Sequence, residues 1–399
     1  MTPKTKRLYF IDAMRAWAIL MMLQGHFIDG LLDPVFRDPG NPVFGIWEYF
    51  RGITAPVFFT VSGFIFTYLL IGAPQRGWEN PRVAKGIKRG LQLLLIGYLL
   101  RLNLFGLIFS GEIYPSFYMV DVLHCIGLSL LAVTGLYLLT ARGKNQLFPW
   151  ALLGTTLLLF LFEPLYKHWP FSFLPDLLAN YFTKANGSVF TIFPWLGYAT
   201  IGAFISVLFS RFREHRLLYP VAIPSALIVG SALIYLSSPA LGQLYQWTDL
   251  DFIRAIEANN YLFIRLGDVL IVFAVFMALR RFLTHRMILA LGASTLSIYV
   301  IHYLVLYGSF TGLGLYGFFS QSLSPALAIP GALLFMSLCS HLALKYHLRQ
   351  EQIKAQIAWV PTSIRSLFTE FKNSSAPLLR EIGIRIRLLM RRFLRTVRS

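Results

Sequence analysis

Asp12, Arg15, His26 and Asp29 are the first residues whose types and spacing suggest chemistry. On a helix, the eleven steps from Arg15 to His26 turn through about 1,100°, roughly 20° past three full turns, so both lie on one face. They stand about 16 Å apart along the axis at 1.5 Å per residue. Asp12 precedes Arg15 by three residues and Asp29 follows His26 by three, each within reach of that face. A histidine oriented by a carboxylate is the usual apparatus of general base chemistry. Asp121 and His124 repeat the pairing, and His302 ends the run Leu296-Ser297-Ile298-Tyr299-Val300-Ile301-His302.

Plainer readings compete at each position. Asp12 and Arg15 can form a helix-end pair that snorkels to water, and His26 can satisfy a core hydrogen bond. Three histidines on three different segments lack the local spacing of a metal site, so no metal is expected. Arg265 and Asp268, three apart, read best as a mutual ion pair, whereas Arg101 beside Asn103 has no obvious partner. Ser62 precedes Gly63 and reads more readily as a helix-packing residue than as a nucleophile.

The elements that must position these groups follow from composition. Of 399 residues, 56% are hydrophobic and only 14% charged, yet the formal net charge is +18. Mean hydropathy is +0.61. Soluble chains carry roughly a quarter charged residues, so a soluble enzyme and a disordered basic nucleic-acid tail are both excluded. Runs of about 20 apolar residues can cross a ~30 Å hydrocarbon core. Ten candidates occur, near 11–30, 52–73, 89–110, 119–140, 147–165, 189–209, 218–236, 261–280, 287–307 and 325–344.

Loop charges alternate. Lys4, Lys6 and Arg7; Arg76, Arg82, Lys85, Lys88 and Arg89; Arg142 and Lys144; Arg211, Arg213 and Arg216; and Arg280, Arg281 and Arg286 mark one side. Asp33, Asp38, Glu48, Glu112, Asp249, Asp251 and Glu257 mark the other. By the positive-inside rule this predicts an all-α polytopic membrane protein with about ten transmembrane helices and both termini cytoplasmic. His26, His124 and His302 then share a depth in the outer half. Asp12 and Arg15 inside the first span argue against a cleavable signal peptide. A bacterial inner (plasma) membrane is the expected location.

Two domains are expected: a membrane-embedded domain at 1–345 and a basic cytoplasmic amphipathic tail at 346–399. Arg385, Arg387, Arg391, Arg392, Arg395 and Arg398 alternate with Ile, Leu, Met and Phe, which suits an amphipathic helix on anionic lipid better than nucleic acid. Cys125 and Cys339, both in apolar runs, offer neither a disulfide framework nor zinc spacing.

Asp12-x-x-Arg15, ten residues, then His26 resembles the first-helix motif of the transmembrane acyltransferase superfamily. That superfamily includes the acyltransferase-3 enzymes and the heparan-alpha-glucosaminide N-acetyltransferase-like proteins. Ala55-Pro56-Val57-Phe58-Phe59-Thr60-Val61-Ser62-Gly63-Phe64 resembles the second-helix motif shared by both branches. Asp121-Val122-Leu123-His124-Cys125-Ile126-Gly127-Leu128, Phe193-Pro194-Trp195-Leu196-Gly197 and the stretch from Gly292 to His302 follow in order and incline towards the heparan-acetyltransferase-like branch. The resemblance covers roughly 7–344. Ala16 stands where glycine is common, and His26 lies inside the first helix rather than after it.

The resemblance implies transfer of an acetyl or other short acyl group from cytoplasmic acyl-CoA to a hydroxyl or amine of an extracytoplasmic glycan or glycolipid. His26 would be the base or transient acyl carrier, with His124, His302 and Asp121 in supporting catalytic roles. Acetyl-CoA would be held by Arg15, with Asp12 fixing it, and by Lys85, Lys88 and Arg89, with Ser62 nearby. Positive-inside anchoring explains the last three basic residues equally well. Trp47, Trp169 and Trp247 could stack on sugar, or simply sit at the interface. Anionic lipids at the tail and self-association complete the expected partners. The competing class is a ten-helix permease or lipid-linked glycan exporter with a His/Asp proton relay, although no repeat relates 11–165 to 189–344.

Overall fold

The structure, a computed structural model, describes residues 7–104, 107–108, 111, 113–141 and 147–357, with side chains to Gln352. The helices run α1 (Tyr9–Leu31), α2 (Pro42–Ile71), α3 (Pro81–Arg101), α4 (Val122–Thr140), α5 (Leu147–Leu161), α6 (Glu163–Tyr166), α7 (Asp176–Ala179) and α8 (Ile192–Arg211). They continue as α9 (Leu218–Tyr235), α10 (Ser237–Thr248), α11 (Asp251–Ala258), α12 (Tyr261–Ala278), α13 (Arg286–Ala293), α14 (Thr295–Tyr307), α15 (Leu315–Phe319) and α16 (Pro325–Ile357). Leu32 and Leu323 form an isolated parallel bridge, and no strand occurs among the described residues. The chain divides into two compact units, 1–344 and 345–399. Of the second, only the end of α16 is described, so the amphipathic tail, like Lys4, Lys6, Arg142 and Lys144, lies outside the described residues.

Every expected span is wholly or partly helical, but by length and apolarity six helices can cross a membrane: α2, α4, α8, α9, α12 and α16. The expected ninth span is broken: α13 and α14 meet at a 69° bend and make a seventh if counted together. α5 has only 15 residues. α1 and α3 are long enough, but Asp12, Arg15, Gln24, His26 and Asp29 on one, and four Lys or Arg between 82 and 89 on the other, dilute their apolar content. The sequence places the third span at 89–110, whereas α3 starts eight residues earlier and ends at Arg101; residues 105–106 and 109–110 lie outside the described set.

Local chemistry fixes the helix starts. Asn41 accepts hydrogen bonds from the amides of Val43 and Phe44, with Pro42 at the first helical position. Asn80 does the same for Arg82, and its amide donates to the Leu70 carbonyl and the Tyr137 hydroxyl, tying α2, α3 and α4 together. α1 packs on α2, α12, α13 and α14, so its polar residues face protein rather than lipid. Around it lie a long apolar cluster that includes Leu23, Phe27, Phe59 and Ile298, and an aromatic one of Phe10, Phe64, Phe209 and Phe273.

α2 and α8 form the tightest pair. A Cβ on Gly63 would stand 1.9 Å from the Ala199 carbonyl oxygen, and one on Gly202 1.9 Å from that of Thr60. Only glycine lets the two backbones approach this closely.

Candidate active site

α1 and α14 bring two of the expected histidines together. The rings of His26 and His302 lie 5.4 Å apart at 33°. His302 is fully buried, and its Nδ1 bonds the Tyr299 carbonyl of the preceding turn, which makes Nδ1–H the donor. Its Nε2 therefore carries the lone pair, and that atom has no hydrogen-bond partner among the described residues. His26 Nδ1 lies 3.1 Å from the Tyr307 hydroxyl, with the two rings edge-on. Tyr299, Tyr303 and Tyr307, four apart, line one face of α14.

His26 opens into a cavity of about 280 Å³. Phe58, Phe190 and Trp195 form an apolar wall, and Asp29 and Arg51 join His26 on the polar side. Arg51 Nε donates to Asp29 Oδ2 at 2.8 Å, and Nη2 makes a second bond to the same oxygen. Gly52 lines the cavity as well, and the Arg265 guanidinium packs against it. Arg265 and Asp268 do form the expected pair, at 3.0 Å. Tyr49 completes a cluster by donating to Asp268 Oδ1 while its ring lies under the guanidinium. Both arginines at the cavity are thus neutralised.

His124 stands elsewhere. Asp121 caps α4 by accepting from the Val122 amide, and His124 Nδ1 accepts the Asp121 amide at 3.1 Å, a capping box. The ring is sandwiched against Tyr98, 4.4 Å between centroids, and over Gly97. It makes no ring contact with His26 or His302, and among the described residues no three His, Cys, Asp or Glu converge as metal ligands. Asp121 finds the missing partner of Arg101, at 3.3 Å with side chains 14% and 10% exposed, and Arg101 also donates to the Ser116 carbonyl.

The other end of α1 is basic. Arg7 donates to Asp12 at 2.6 Å, and Arg15 lies 3.7 Å from the same carboxylate while donating to Thr295 Oγ1 at 3.0 Å. Thr295 begins α14 just past the 69° bend, where a Cβ on Gly292 would meet the Asp12 carbonyl at 2.1 Å. Arg89 acts electrostatically on Arg15. Lys85, Lys88 and Arg89 are exposed along α3, and no carboxylate among the described residues pairs with them. Asp12 therefore faces both Arg7 and Arg15.

A family model described as an acyltransferase domain, of the acyltransferase-3 type, matches residues 8–344. The chain belongs to the acyltransferase-3 family. A search of curated proteins returns no match. Family and apolar helices together make the protein an integral membrane acyltransferase.

In this acyltransferase the Ser62 hydroxyl donates to the Phe58 carbonyl one turn back at 2.7 Å, as a helix-packing serine does. Cys125 and Cys339 are free and buried. Trp47 donates to Gln24, and Trp169 stacks on Phe171; neither these nor Trp247 lines the cavity. Tyr307, Arg51 and Trp195 were not legible as site residues. The four-residue spacing of the α14 tyrosines was the available signal for Tyr307, and the Phe193–Gly197 motif was the signal for Trp195; for Arg51 there was none.

Proposed function

We propose that the acyltransferase moves an acetyl or other short acyl group from cytoplasmic acyl-CoA to a hydroxyl or amine of an extracytoplasmic glycan or glycoconjugate. One observation carries this reading: α1 holds His26 at a cavity near one end and Arg15, within an excess of cations, near the other. Phosphates of the donor suit Arg15, Arg89, Lys85 and Lys88. The cavity is lined by the second half of α1, the middle of α2 and the starts of α4 and α8, which a ten-span topology with both termini inside would put on the outer side.

His26 takes the acceptor proton as the acceptor oxygen or nitrogen attacks the thioester carbonyl, and coenzyme A leaves as the thiolate to be protonated. In the stepwise variant the imidazole attacks first, releases coenzyme A and passes the acyl group on. His302, with Nδ1–H committed to a carbonyl, presents its Nε2 lone pair beside His26. His124 and Asp121 position α4 and Arg101 instead of touching substrate. The aromatic wall of Phe58, Phe190 and Trp195 suits a sugar face, and the motifs from Asp121 onward favour a saccharide acceptor. A bacterial inner membrane accommodates both substrates.

Purified protein should bind acetyl-CoA by calorimetry and hydrolyse it slowly in a thiol-release assay, and His26→Ala should abolish hydrolysis while keeping binding. A wild type that neither binds nor turns over any acyl-CoA sinks the reading; proton-coupled transport without thioester turnover would install the permease in its place.

A further inference from the structure

α8 and α9 are joined by only six residues, yet α9 packs along α12 and not along α8. Between them lies a cleft of about 650 Å³, larger than the His26 cavity. Its walls come from Phe204 and Leu208 of α8 and Val221 and Ala226 of α9, and its floor from α12. Among the described residues, Ser225 and His215 are the only polar ones lining it. α9 buries only Gly230, so the cleft lies beside an otherwise uncovered helix. The floor runs from Leu266 to Met277, about 16 Å at 1.5 Å per residue. Half of a ~30 Å hydrocarbon core is about 15 Å. The cleft therefore has the depth of one leaflet.

Arginines ring one end. The Arg211 guanidinium lies over the ring of Phe212, and Arg280 donates to the Met277 carbonyl; Phe212 and Met277 both line the cleft. Arg216 sits between the lining residues His215 and Leu217 and is exposed. Among the described residues, Arg211, Arg216 and Arg280 pair with no carboxylate. An apolar slot one leaflet deep beneath unneutralised guanidiniums matches a molecule with a hydrocarbon chain and a phosphate at one end. Guanidinium forks bind phosphate oxygens in pairs.

We propose that this cleft binds an anionic phospholipid of the cytoplasmic leaflet, one acyl chain between α8 and α9 and its headgroup phosphate on Arg211, Arg216 and Arg280. The site is separate from the His26 cavity and does not depend on the acyl-transfer reading.

Delipidated full-length protein in detergent is titrated with phosphatidylglycerol or with phosphatidylcholine of the same chains, reading the unfolding midpoint and the bound mass by native mass spectrometry. Phosphatidylglycerol should be retained one-to-one and raise the midpoint, while phosphatidylcholine does markedly less. Arg211→Gln with Arg216→Gln, both exposed and paired with no carboxylate among the described residues, should weaken retention about tenfold or more and leave the lipid-free midpoint nearly unchanged. Ala226→Trp, which fills the slot with all arginines intact, should also abolish one-to-one retention. Equal retention of both lipids, or wild-type retention in either variant, overturns the proposal. So does displacement by palmitoyl-CoA at concentrations where phosphatidylglycerol does not bind, which would make the occupant a donor tail.

Discussion

Replacing Tyr307 by Phe removes one atom, the hydroxyl 3.1 Å from His26 Nδ1. The ring keeps its edge-on contact with His26 and its packing on Tyr303, 5.0 Å between centroids, so the fold should tolerate the change. A hydrogen bond of this kind contributes about 0.5–1.5 kcal/mol net. If it holds the imidazole in its reactive orientation, that energy falls on the chemical step, a roughly two- to twelvefold loss in kcat with KM for acetyl-CoA unchanged. The assay is steady-state release of coenzyme A thiol by purified Tyr307→Phe, beside His26→Ala and the double variant. Because Tyr307 acts through His26, the double variant should lose no more than His26→Ala alone. A kcat within a factor of two of wild type, or a loss confined to KM, would refute the positioning role.

Other expectations follow from the same geometry. Gly202→Ala places a Cβ where the Thr60 carbonyl stands 1.9 Å away, far inside ordinary contact, so α2 and α8 must part. Overpacking of this order costs about 1–3 kcal/mol, read as a lower unfolding midpoint in detergent. Asp121→Asn keeps a capping side chain but strands Arg101, and a cost of about 3 kcal/mol should appear as a lower unfolding midpoint in detergent. Lys85→Gln with Lys88→Gln should raise KM for acetyl-CoA up to about tenfold, an effect that shrinks as salt is added. An unchanged KM would leave those lysines to topology alone.

Much of the fold was legible because lipid demands long apolar helices, and the depth shared by His26 and His302 followed from loop charge alone. Side-chain partnerships across helices were not. Arg101 reaches Asp121 across a helical hairpin, a pairing no local spacing encodes. The three-residue interval of Asp121 and His124 is also that of a capping box, which they form. The break between α13 and α14 hid inside a continuous apolar run, because Ser294 and Thr295 carry no strong helix-breaking signal. α3 begins at Pro81 with Asn80 before it, a start that hydropathy alone passed over.

The reciprocal glycine contacts of α2 and α8 have a mechanical side. Each backbone rests on the other at two points, Gly63 on Ala199 and Gly202 on Thr60, so neither helix can slide or roll without collision. Phe58 and Trp195 of the cavity wall belong to this locked pair. The wall is therefore a rigid jaw of the cavity. Towards the start of α1, the bend between α13 and α14 is tied to Arg15 through Thr295.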